Sequence, residues 1–241
     1  MFNPNQIINF KRKFVCRFKN SPKNEQRLIK SFFNDKPAGY YVDVGANEPI
    51  KESQTFHLEN LGWRGLLIEA LPYYANLLRK QRKGKVIQYA ASSPKNHNKK
   101  LKFIVAGGHS TLNNNLIALG DFSNKTTTVT CKTLDSILRD NKVAVNFDFI
   151  SIDIEGHEME MFKGFHLKKW KPKLVLLEDH VINHQKHNFM TANGYQIILR
   201  TGLNSWYVPV AAGYQLSLFS KIGFFRKYYI GLLSRKFRYR K

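Results

Sequence analysis

Two short runs in the 241-residue chain bring carboxylates and imidazoles together. "SIDIEGHE" carries Asp153, Glu155 and His157, and "LEDH" carries Glu178 and His180. A carboxylate or a neutral imidazole can take a proton from a hydroxyl near neutral pH, so both runs suit general-base work. Asp153, Glu155, His157 and His180 are the candidate catalytic residues. If the strand alternates, Asp153 and Glu155 share a face. The same groups also serve as helix caps or cofactor-positioning acids, and a histidine in such a place is often a surface or capping residue. They could ligate a divalent cation, but their spacing forms no compact ligand motif and no metal is assigned. Glu158 and Glu160 read as a solvated helix face, His109 as a loop residue, and His184 with His187 as an exposed polar helix face.

Such residues need elements that set them at neighbouring strand ends. From Gly39 onward short apolar runs alternate with helical stretches, the pattern of a parallel sheet covered by helices. "GYYVDVGA", "RGLLIEA", "KVIQYAAS", "FDFISIDIEG" and "KPKLVLLEDH" read as strands. "ESQTFHLENLG", "LPYYANLLRKQRKG", "LDSILRD", "HEMEMFKGF" and "NHQKHNFMTANG" read as helices, with Pro72 at a first helical position and Gly62 and Gly84 at stops. "KLKFIVAGGHSTL" and "KTTTVTCKTL" read as an inserted strand pair joined by a polar loop. "YQIILR" and "SWYVPV" read as closing strands that could pair antiparallel. The expectation is one α/β domain over residues 39–215, a basic extension over 1–38 and a basic aromatic tail over 216–241.

In open α/β sheets ligands sit beyond the carboxyl ends of the strands. That rule gathers Asp43, Gly45, Ala46 and Asn47 after the first strand, Glu69 and Ala70 after the second, and Ala91 and Ser92 after the third. An acid at the second strand's end can accept hydrogen bonds from both hydroxyls of a ribose. The first turn lacks the later glycines that let backbone approach a pyrophosphate, and Pro49 removes a donor. Adenosine without phosphates fits both observations, and S-adenosylmethionine is such a molecule. Asp43 offers negative potential to its cationic groups, and amides beyond Gly45 can meet its carboxylate. A strand ending in Asp-x-Gly also occurs as a plain cap and turn; the pairing of Asp43 with Glu69 is what favours a cofactor.

In this order "VDVGAN", "GLLIEALP", "YAAS", "KTLDSIL", "DFISIDIEGHEMEMFKGF" and "PKLVLLEDH" resemble the FkbM-type methyltransferases over roughly residues 40–210. The most specific part is "TLDSIL" followed shortly by "IDIEGHE". The resemblance implies a Rossmann-like methyltransferase fold, with a mostly parallel sheet, helices on both faces and a small β insertion. It also implies S-adenosylmethionine as cofactor and methylation of a hydroxyl, often on a sugar of a glycan or on a natural product. Carried over, the first motif falls on Asp43, Gly45, Ala46 and Asn47, the ribose acid on Glu69, and the adenine-side strand end on Ala91 and Ser92. The D-x-E-G segment falls on Asp153, Glu155 and Gly156, and the late acidic strand end on Glu178. Many members have glycine where this chain has Pro49, which puts the path of the turn in question. An RNA methyltransferase, or an inactive binding module on the same fold, is the alternative reading.

The net charge of +22 is concentrated at the two ends. Residues 1–38 hold nine Lys or Arg against Glu25 and Asp35, and residues 221–241 hold eight and no acid. The tail sets Phe224, Phe225, Tyr228, Tyr229, Leu232 and Leu233 at helical spacing among basic residues. This is the pattern of a helix on an anionic membrane surface, or of one docked on its own core with a solvated basic face. Gly223 and Gly231 work against the helix. Nucleic acid is the weaker candidate partner, because no binding module accompanies the charge. A 43% hydrophobic composition excludes a disordered chain, and no run approaches the roughly 20 apolar residues of a spanning helix. The first twenty residues mix charge with apolar side chains, unlike a secretory signal, and Cys16 and Cys131 suggest no disulfide framework. The expected location is the cytoplasm, with contact to the inner face of the membrane.

Overall fold

The computed structural model describes residues 15–16, 22–105, 112 and 126–232. The chain forms two compact units, residues 36–172 and residues 1–35 together with 173–241. Strand β1 (Val15–Cys16) and helix α1 (Pro22–Phe32) open the discontinuous unit. The continuous unit runs through β2 (Tyr40–Val44), α2 (Phe56–Glu59), β3 (Arg64–Ile68), α3 (Pro72–Gln81), β4 (Lys85–Ile87) and β5 (Ala90–Ala91). It continues with β6 (Lys100–Ile104), β7 (Thr126–Lys132), α4 (Leu134–Asp140), β8 (Phe149–Ile152), α5 (Glu158–Phe162) and α6 (Leu167–Trp170). The chain then returns with β9 (Leu174–Glu178), α7 (Gln185–Ala192), β10 (Tyr195–Thr201), β11 (Asn204–Pro209) and α8 (Leu218–Phe225).

In the continuous unit β8, β2, β3 and β4 pair side by side, all parallel. The order reverses beside β2, as in a Rossmann-like half-sheet, and so places a ligand crevice at the ends of β2 and β8. The last four residues of β2 and β3, and all of β8, are buried. Such uninterrupted burial suits a parallel sheet covered on both faces. Val44 lies opposite both Ile68 and Ile152, so β2, β3 and β8 end level. Thr133 caps α4, its hydroxyl accepting from the Ser136 amide at 3.3 Å. Asp135, in the "TLDSIL" run, accepts from the Trp170 indole at 2.8 Å and the His166 amide at 2.9 Å. That run therefore anchors α6, a scaffold role.

Two expected elements take other forms. "KVIQYAAS" is not one strand: β4 pairs with β3, and β5 leaves to pair with β7, which pairs antiparallel with β6. The Ser92 amide donates to the Lys132 carbonyl at 2.9 Å, so the second half of this run takes its backbone bonds from the insertion. The small sheet buries Phe103, Val129 and Cys131 against Leu71 and Ala90. His109 falls outside the described residues. "ESQTFHLENLG" shrinks to the four residues of α2 because side chains hold the preceding amides. The Glu48 carboxylate accepts from the amides of Ile50 (2.8 Å), Lys51 and Glu52 (3.2 Å), and Ser53 Oγ accepts from those of Thr55 (3.2 Å) and Phe56 (3.1 Å). Local side-chain bonds of this kind compete with helix formation.

In the discontinuous unit β1 runs parallel to β10, and β11 pairs antiparallel with β10 on one side and β9 on the other. Leu28, Ile29 and Phe32 are the buried stripe of α1. Glu25, on the same helix, is buried and accepts from Thr201 Oγ1 and from Asn204 Nδ2 at 2.9 and 3.0 Å. The guanidinium of Arg200 is likewise buried, donating to Ser205 Oγ at 2.7 Å and to the Asp179 carbonyl. A wider turn over Arg226–Ile230 continues α8, whose first turn is capped by Ser217. The reading of His184 and His187 as an exposed polar face is corrected here. Their rings pack against the tail, with His184 Nε2 2.7 Å from the Tyr228 carbonyl and His187 Nδ1 3.1 Å from the Tyr207 hydroxyl. Among the described residues no helix is long and apolar enough to cross a membrane.

Candidate active site

The level strand ends of the continuous unit converge on Gly45, Glu69 and Asp153. The Gly45 amide donates to the Ile68 carbonyl at 2.9 Å, and the Asp153 amide donates to the Val44 carbonyl at 3.0 Å. Gly45 has φ +84°, and a Cβ there would lie 1.8 Å from the Asp153 carbonyl oxygen. Only glycine combines that backbone with that approach. The Ala46 amide also reaches the Ile68 carbonyl at 3.3 Å, and Ala46 is buried. Asn47, at φ +43°, turns the chain away from the sheet.

Beside this turn opens a cleft within the same unit. Gly45, Asn47, Glu69 and Ala70 line one side, and Asp153, Glu155 and His157 line another. Leu71, Tyr74, Tyr89, Ala91, Phe103 and Leu112 make an apolar wall. Glu69 spans two of the tips: one carboxylate oxygen accepts from the Asn47 amide at 2.9 Å, the other from the Leu71 amide at 2.7 Å. Burial raises its pKa, against the pull of those amides. The Ala70 amide also favours its charged form, and a carboxylate's roughly four acceptor sites still leave room for a ligand hydroxyl. Asn47 Oδ1 is buried with no hydrogen-bond partner among the described residues, an acceptor that a ligand donor would satisfy. A planar apolar ring, paired hydroxyls and an N–H donor are the ligand features this lining suits.

Asp43 takes a different place from its neighbours. Its buried carboxylate accepts from Thr55 Oγ1 at 2.6 Å, and burial raises its pKa. Thr55 Oγ1 in turn accepts from Arg82 Nη2 at 2.8 Å. The Arg82 guanidinium is enclosed by the turn: Nη1 donates to Ser53 Oγ at 2.9 Å and to the Pro49 carbonyl at 3.1 Å. Its Nε lies 3.1 Å from Glu59 Oε1, a pair with both side chains buried. Glu59 also accepts from the Tyr41 hydroxyl and, at 3.0 Å each, from the amides of Lys83 and Gly84. Burial pushes the Glu59 pKa up, but the Tyr41, Lys83 and Arg82 donors outweigh it and hold it below the usual range. Pro49 thus faces this network through its carbonyl, and Asp43 braces the turn from behind.

Of the candidate catalytic residues, Asp153, Glu155 and His157 share the cleft. Glu155 at φ +51° and Gly156 at φ +82° shape the bend between β8 and α5. His157 Nε2 lies 3.0 Å from Ser92 Oγ, and that oxygen accepts from Asn96 Nδ2 at 2.9 Å. Burial lowers the His157 pKa, so the ring is neutral at pH 7. Ser92 is itself fully buried and does not line the cleft, which it meets only through its contact with the His157 ring. Glu158 corrects the expectation of a solvated face. It is fully buried and accepts from the Gly156 amide at 3.1 Å, closing the bend. Glu160 does sit at the surface, paired with Lys163 and with Lys95 at 3.6 Å. His180 belongs to the discontinuous unit, where its Nε2 is 3.0 Å from Glu178 Oε1.

Sequence reasoning missed the Arg82 network and the aromatic wall. Arg82 sits in "LLRKQRKG" among equally basic neighbours, with no signal to mark it as buried. Tyr74 on α3, Tyr89 between β4 and β5, and Phe103 on β6 lie far apart in sequence, and their convergence depends on the insertion.

Comparison with known proteins follows the same lines. The chain is similar to a precorrin-6y C5,15-methyltransferase from Geobacter metallireducens, at 11% identity and a TM-score of 0.40, covering 76% of this chain and 84% of that one. It is also similar to the hMettl16 catalytic domain in complex with a MAT2A 3′UTR hairpin, at 13% identity and a TM-score of 0.39, covering 83% and 72%. Comparison with curated proteins finds no match. The model of the methyltransferase FkbM domain matches residues 43–198. That match spans more than half of the sequence, and the chain belongs to the FkbM methyltransferase family.

Proposed function

We propose that the protein is an S-adenosylmethionine-dependent O-methyltransferase of the cytoplasm, acting on a sugar hydroxyl of a glycan or lipid-linked saccharide. The observation that carries the cofactor assignment is the pairing of Glu69, whose carboxylate keeps acceptor capacity beyond its amide partners, with the Asn47 acceptor that has no partner among the described residues. Glu69 would take both ribose hydroxyls, Asn47 Oδ1 the ammonium group, and the aromatic wall the adenine. When bound, S-adenosylmethionine supplies a methyl group already activated on a positively charged sulfur. What remains for the protein is to align the acceptor, exclude water and receive a proton.

His157 is the group suited to the proton. If its Nε2–H donates to Ser92 Oγ, Nδ1 keeps a lone pair on a ring that burial holds neutral. Asp153 and Glu155 add acceptors that can orient a polyol. The lining therefore carries three carboxylates, which repel a phosphodiester and favour an uncharged acceptor over RNA. Titration calorimetry with S-adenosylhomocysteine tests the assignment. Glu69→Ala removes two hydrogen bonds to a charged acceptor, worth about 1.5–3 kcal/mol each, so affinity should fall at least tenfold. Equal affinity in both proteins would remove Glu69 from the ribose. The acceptor class is tested by incubating the protein with labelled cofactor and either cell-envelope glycan or RNA; transfer into RNA alone would overturn the sugar assignment.

A further inference from the structure

The outward face of α8 and the turn that follows it is apolar and, among the described residues, uncovered. Leu218, Phe219, Ile222, Phe225, Tyr229 and Ile230 are all exposed, from 47% at Tyr229 to 75% at Phe219. They recur at three- to four-residue spacing along one side of the segment, and so form one stripe rather than scattered singles. The opposite side fixes the rotation of the helix. Tyr228 is fully buried, its hydroxyl donating to Asp179 Oδ2 at 3.1 Å and lying 2.9 Å from Ser205 Oγ. Phe224 stacks on Tyr228 at 4.6 Å between ring centroids, and His187 packs on both rings at 5.0 and 5.1 Å. The docked-helix and surface-helix readings of the tail are therefore compatible: one face is seated and the other is open.

Charge decides what covers the open face. Lys221 and Arg226 are exposed beside the stripe. No Asp or Glu follows Asp179 in the sequence, and Arg235, Lys236, Arg238, Arg240 and Lys241 come after the described helix. Large apolar side chains flanked by cations, with no acid in the segment itself, match the boundary between acyl chains and anionic headgroups. A second copy of the chain would bring the same positive charge to the contact and be repelled. We propose that this face is a peripheral membrane-binding surface that seats on an anionic phospholipid bilayer, the apolar stripe entering the interface and the cations meeting headgroup phosphates and carboxylates.

Flotation of the full chain with vesicles tests this, using phosphatidylcholine alone and phosphatidylcholine with phosphatidylserine. The wild type should float with the anionic vesicles and at least about tenfold less with the neutral ones. Phe219→Ser/Ile222→Ser/Phe225→Ser should lower anionic partitioning at least about tenfold, because the apolar burial is lost while the charge is kept. Lys221→Glu/Arg226→Glu should weaken partitioning and make it less sensitive to salt. All these side chains are exposed, so far-ultraviolet circular dichroism and Tm should stay close to those of the wild type, and light scattering reports any self-association. Flotation unchanged by the triple substitution would overturn the proposal, since charge alone then explains it. So would a dimer that depends on the stripe in a protein that ignores vesicles. Neither outcome bears on cofactor binding, which is measured separately.

Discussion

Replacing Arg82 by methionine removes a cation that ties the turn after β2 to the strand behind it. The Arg82 side chain is fully buried and Glu59 is 2% exposed, so the substitution leaves a carboxylate in the interior without its ionic partner. It also strips donors from the Pro49 carbonyl, Ser53 Oγ and Thr55 Oγ1. Breaking a buried pair by deleting one member costs about 3–5 kcal/mol. For a chain of this length that corresponds to a fall in Tm of roughly 6–20 °C. Adding Glu59→Gln removes the stranded charge and keeps one oxygen as acceptor for Tyr41 and Gly84, at the cost of the bond from the Lys83 amide, and should restore about 1–3 kcal/mol. Urea and thermal unfolding of the wild type, both single variants and the double variant close the cycle. A methionine variant that melts within 2 °C of the wild type, taken as roughly the span of a surface substitution, would refute the reasoning. So would a double variant no better than the sum of its parts.

Gly45→Ala should destabilise by at least about 2 kcal/mol and abolish binding of S-adenosylhomocysteine, because the methyl meets the Asp153 carbonyl in a backbone that alanine avoids. Normal melting and binding would mean that the tips of β2 and β8 do not approach as described. The lowered pKa of His157 has two pH consequences. The neutral base persists below the ordinary histidine value of 6.5, so methyl transfer should hold up on mild acidification. The stability it contributes is fully present above 6.5 and lost as pH falls through the lowered folded value, a slope that His157→Gln should flatten.

The parallel core was legible because β2, β3 and β8 are apolar runs that stop at an acid or a glycine, and burial on both faces demands such runs. Glu69 was legible for the same reason: an acid directly after "GLLI" has few other uses. Asp43 shows the limit of that logic. Its strand position was evident, but its partner Thr55 is fixed by a turn that Glu48 and Ser53 build from side-chain bonds, and no periodicity announces those. Glu158 escaped because polarity suggests solvent, whereas the bend at Glu155 and Gly156 leaves an amide that needs an interior acceptor. The break after β4 was hidden since "KVIQYAAS" is uniformly strand-like, and only its competing partner β7 divides it.

The Glu69 carboxylate, holding the amides of Asn47 and Leu71 at once, has a thermodynamic corollary for recognition. The loop that would surround a ligand is already immobilised when the protein folds, so the ordering cost falls on folding rather than on association. Binding should accordingly proceed with little backbone movement. Substitution of that one carboxylate should loosen the unliganded protein as well as weaken its complex.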